Sequence, residues 1–89
     1  MITRQERIDN NLSQREQMRY SAAVIGNIVI QTRRGSVELF DRITDTVVER
    51  IVWADSTAFR NCVLSGFSRR VAMKIVATDA AYKIADPKF

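Results

Sequence analysis

Histidine is missing from all 89 residues. That removes the commonest general base and the commonest metal ligand. Cys62 is the sole cysteine, so no intrachain disulfide forms, which suits a reducing compartment. One proline and three isolated glycines are too few to punctuate a β-sandwich or barrel every 8–12 residues. They also exclude a glycine-rich phosphate loop. The longest run without a charge, Tyr20 to Thr32, is 13 residues, well short of the roughly 20 that cross a bilayer. The first residues, MITRQERID, are polar and charged, unlike a secretory signal. No membrane partner and a cytoplasmic location are expected.

What remains is an ordinary globular composition, 46% apolar and 27% charged, sufficient for one folded domain over 1–89. Capping signals mark successive helix starts. Thr3 to Glu6 and Ser13 to Glu16 both fit the capping box, with Asp9-Asn10-Asn11 as a break between them. From Ser13, Met18, Ala22, Ile25 and Val29 keep helical spacing, which favours a helix to Arg34 with Gly35 as its stop. The competing reading is a strand over 27–32 turning through Arg33-Arg34-Gly35 into Val37 to Phe40, which β-branched Ile28-Val29-Ile30 favours. The helix is preferred.

From Ser36, the stripe Phe40, Ile43, Val47, Ile51 and Ala54 opposes Glu38, Asp41, Asp45 and Glu49, the binary pattern of a surface helix. Asp55 caps a shorter helix with Phe59, Cys62 and Val63 inward and Gly66 as its end. Ser68 caps a last helix to about Ala85. Its main stripe is Phe67, Val71, Ile75, Thr78 and Tyr82, with a second of Met73, Val76, Ala80 and Ile84. The expected fold is therefore all-α, a small bundle of four helices plus a short N-terminal helix. The second stripe invites completion by dimerisation, so a homo-oligomer is expected.

Catalysis and cofactors find little support. Cys62 has no histidine partner, and carboxylates strung along one helix do not wrap a cation as a loop does. No metal, cofactor or enzymatic activity is expected. The net charge of +4 is unevenly spread. Residues 1–35 carry six Lys/Arg against three acids, 36–54 two against four, and 68–89 five against two.

Arg33 and Arg34 suit a helix C-terminus. Arg69 and Arg70 follow the Ser68 cap, where the helix dipole disfavours cations, and Lys74 adds like-charge repulsion one turn on. Such a costly arrangement points to anion recognition. The leading expectation is a non-enzymatic module binding DNA or RNA phosphates through Arg69, Arg70 and Lys74, with Arg33 and Arg34 secondary. Small Ala77 and Ala81 share the Arg70–Lys74 face and leave a polyanion room to approach. The alternative is a regulatory adaptor or inhibitor that grips a protein through the acidic stripe Glu38, Asp41, Asp45 and Glu49. Val52, Trp53 and the terminal Phe89 supply its apolar contacts.

Overall fold

The computed structural model of the protein describes residues 13–85. The Thr3 capping box, the Asp9–Asn11 break and the Asp86–Phe89 tail lie outside the described residues.

Helix α1 (Gln14–Arg19) begins beside Ser13 as its capping pattern predicts, but it ends within two turns. The Ser21 amide and hydroxyl both donate to the Met18 carbonyl, at 3.3 and 2.8 Å, and draw the chain out of the helix. Four antiparallel strands follow: β1 (Val24–Ile25), β2 (Ile28–Arg33), β3 (Ser36–Asp41) and β4 (Thr46–Val52), in sheet order 1-2-3-4. A 3-10 turn at Trp53–Asp55 leads to α2 (Thr57–Leu64) and then α3 (Arg69–Ala85). The fold is α+β and overturns the all-α bundle that helical spacing predicts.

The local chemistry explains the correction. Gly26 at φ +58° turns β1 into β2, pairing Ile25 with Ile28, and glycine at the first position of a two-residue loop is a hairpin signature. Gly35 at φ +72° closes the next hairpin, pairing Arg33 with Ser36. This is the hairpin that β-branched Ile28-Val29-Ile30 favoured. Asp41 breaks the supposed second long helix: its Oδ1 accepts from the amides of Ile43 (2.8 Å) and Thr44 (3.4 Å). Asp45 then adopts φ 59°, which aspartate tolerates better than most residues. Thr46-Val47-Val48 resume as strand, rich in β-branched residues.

The C-terminal half keeps its predicted form. Ser56, one residue after the expected Asp55, caps α2 by accepting from the Phe59 amide. Gly66 at φ +105° ends that helix. Ser68 caps α3, its Oγ accepting from the Val71 amide at 3.1 Å.

Helix α3 lies on β1, β2 and β3. The side it buries is Val71, Ala72, Ala77, Thr78 and Ala81. Val71 and Thr78 come from the expected stripe, whereas Ala72, Ala77 and Ala81 take the places expected of larger residues, because alanines let a helix approach a sheet closely. Ala77 and Ala81 are therefore core, and leave no room there for a polyanion. Val37, Trp53, Phe59, Ala72 and Ala77 form one core cluster, while Ile25, Ile28, Leu39 and Ala81 form another, with Ile30 packed against both. Ile25 and Ile28 are thus buried within a single chain, and Val29 only half-buried. Helix α1 is held to α3 by Arg19, whose guanidinium sits 4.4 Å from the Tyr82 ring centroid and 3.5 Å from an Asp79 oxygen. No helix among the described residues is long and apolar enough to cross a membrane.

Candidate nucleic-acid interface

The folding back of α2 and α3 about Gly66 sets the body of α2 beside the first turn of α3. The chain leaving β4 is tied to the β2–β3 turn, because the Trp53 amide donates to the Gly35 carbonyl at 3.1 Å. Between these parts lies a depression of about 530 Å³, with Gly35, Trp53, Phe59, Arg60, Arg69 and Met73 among its lining residues. Among the described residues, its only charged lining residues are the two arginines. Trp53 and Phe59, ring centroids 5.2 Å apart, are both buried and form its aromatic floor.

The cap at Ser68 confirms that α3 has its own N-terminus, so Arg69 and Arg70 do occupy its first turn. Arg69 has an intramolecular reason to be there. Its guanidinium carbon lies 5.1 Å from the Phe59 centroid, a cation–π contact that offsets the unfavourable dipole. Arg70 and Lys74 are exposed one helical turn apart.

Arg34 is exposed in the β2–β3 turn, next to Gly35 on the depression's wall. Arg33 is separated from it. By strand alternation it lies on the opposite sheet face, where its Nε donates to Glu38 at 2.8 Å and its Nη2 to Gln31 at 3.2 Å. Arg60 was not expected from sequence. The signal available was the Gly66 break, since two helices folded there bring residues on either side of it together.

The acidic stripe does not exist as a stripe. Glu38 lies on β3, Asp41 and Asp45 bracket the β3–β4 turn, and Glu49 lies on β4. Opposite faces of a sheet separate them, because Glu38 pairs with Gln31 and Arg50 while Glu49 pairs with Leu39. Trp53 is 6% exposed and belongs to the core, and the little surface it keeps faces the depression rather than the acidic residues. Val52 is half-buried and, with Glu49, lines a second groove of about 770 Å³ between β4 and α3. Phe89 lies outside the described residues.

Cys62, also on that groove, has its thiol pushed above the ordinary range, first by burial and then by the nearby Asp79 carboxylate. A raised thiol is a poor nucleophile at neutral pH. Among the described residues no group of three or more His, Cys, Asp or Glu is placed to hold a metal ion. Comparison of the chain with known protein families, curated proteins and solved structures finds no match.

Proposed function

We propose that the protein is a non-enzymatic module that binds nucleic acid through its phosphates, at the end where the β2–β3 turn meets the start of α3. The observation that carries this reading is the depression whose charged lining, among the described residues, consists of Arg60 and Arg69 alone. Arg34 stands beside it, and exposed Arg70 and Lys74 continue the positive surface along α3. Arginine forks suit phosphate oxygens, and contacts of this kind give affinity without reading sequence. Arg33 contributes less, since Glu38 already neutralises it.

Two further parts belong to the proposal. The protein works in the cytoplasm, which its unpaired cysteine suits. It also acts as a homo-oligomer, which multiplies phosphate contacts per particle.

Fluorescence anisotropy with labelled single-stranded and duplex DNA and RNA tests the reading. Binding is expected at low salt and falls steeply as salt rises, and Arg34→Glu and Arg60→Glu each lower the salt slope by about 1. No binding to any of the four probes at low salt ends the proposal.

A protein-binding reading is favoured by one observation, the groove between β4 and α3 that Glu49 and Val52 help to line. An inventory of what co-purifies with the untagged protein separates the two. Nucleic acid supports the first reading, and a protein lost on Glu49→Lys supports the second.

A further inference from the structure

We infer that two copies of this chain pair through the sheet face turned away from α3, with β3 of one copy running antiparallel across β3 of the other. The solvated face of an antiparallel sheet is ordinarily polar. Here the register aligns Val24, Val29, Phe40 and Val47 into one apolar row across all four strands. Val24 and Val47, at its two ends, are 44% and 47% exposed.

The flanks of that row identify the occupant. Glu38, two residues before Phe40, shares the outer face with it. Arg42, two residues after, continues the ladder by donating its amide to Asn27 at 3.0 Å. β3 and the turn residue that follows it therefore place Glu38, Phe40 and Arg42 at alternate positions along this face, an order that is self-complementary on reversal. A two-fold axis along the apolar row sets Glu38 of each copy opposite Arg42 of the other. It also sets Arg50, beside Glu38 in register, toward the end where the second copy carries Asp45.

A two-fold axis along the strands instead sets Glu38 against Glu38 and Arg42 against Arg42, which like-charge repulsion disfavours. Stacked sheets lie about 10 Å apart, within reach of a Glu–Arg pair. The pairing rests on the homo-oligomer part of the proposed function and gives it a surface. That surface is distinct from the Arg60–Arg69 depression on the helix-covered side, so phosphate binding can fail while pairing holds, and the reverse.

Sedimentation equilibrium over a range of protein concentrations tests the inference. The unmodified protein is expected to show a concentration-dependent monomer–dimer equilibrium, weakened about tenfold or more by Glu38→Arg, by Arg42→Glu or by Val47→Lys. The two charge reversals mixed in equal amounts recover association, because each supplies the charge the other lacks, and the double variant recovers it alone. Asp45→Arg mixed with Arg50→Glu repeats the test without touching the Arg33–Glu38 pair, with circular dichroism confirming that each variant is folded. A protein that is monomeric throughout, or a dimer indifferent to the single reversals, or a mixture that fails to recover, overturns the inference.

Discussion

The guanidinium of Arg69 stacks on the ring of Phe59, 5.1 Å from guanidinium carbon to ring centroid, and Phe59 in turn packs on Trp53. Three residues from three elements are thus joined where α2, α3 and the end of β4 meet. Phe59→Ala removes the central member and leaves a cavity, at an expected cost of about 3–5 kcal/mol. That is a large share of the stability of a small domain. Denaturant unfolding monitored through Trp53 measures it. Arg69→Ala should cost about 1 kcal/mol or less, because it loses a half-exposed cation–π contact while relieving the helix dipole.

Ser36 is 2% exposed, and its hydroxyl has no hydrogen-bond partner among the described residues. An unpaired buried hydroxyl carries a desolvation penalty. Ser36→Ala is accordingly expected to leave stability unchanged or to raise it by up to about 1 kcal/mol. A loss of that size in a thermal or denaturant melt contradicts the prediction.

The two turns that shape β3 give contrasting outcomes. Gly35 has φ +72° and open space where a Cβ would sit, so Gly35→Ala costs only the left-handed backbone strain, about 1–2 kcal/mol. Asp45 holds φ 59°. Asp45→Asn is expected to be near neutral, and Asp45→Val to cost more than the glycine change, because a branched side chain is least tolerated there. Equilibrium unfolding of the three variants ranks them directly.

The Cys62 thiol, raised by burial and then by Asp79, should react with iodoacetamide along a pH profile displaced upward from that of a free cysteine. Asp79→Asn moves the profile partway back, since burial, the larger cause, remains. The linkage has a definite sign. The unfolded chain loses this proton first, so the thiol's contribution to stability is complete below the ordinary thiol pKa and fades as pH rises toward the raised one. A profile matching free cysteine refutes the assignment.

The two halves of the chain differ in how openly they declare their structure. Ser68, Gly66 and the 3.6-residue spacing of Phe59, Cys62 and Val63 announced α2 and α3 because each signal acts locally. The sheet stayed hidden for two reasons. Its outer face carries Val24, Val29, Phe40 and Val47, so β2 and β3 lack the clean apolar–polar alternation that marks a strand. The register shift between Leu39 and Phe40 admits an extra residue in β4 and breaks the period there too. What remained, Phe40, Ile43, Val47 and Ile51, happened to satisfy a helix. At the candidate site, Arg69 was legible from its odd place after a cap. Arg60 was not, because its neighbourhood depends on how α2 folds against α3.

The 1-2-3-4 strand order bears on how the chain acquires its form. Every strand bonds to its neighbour in sequence through a loop of two to four residues, so little loop entropy is lost as the sheet zips together. The distant contacts include those of α3 with β1, β2 and β3 and that of Arg19 in α1 with α3. During synthesis the meander leaves the ribosome first, with Ile28, Val37 and Leu39 uncovered until α3 arrives. Docking of this seventeen-residue helix is therefore the step that covers those three side chains and removes them from aggregation and from chaperones.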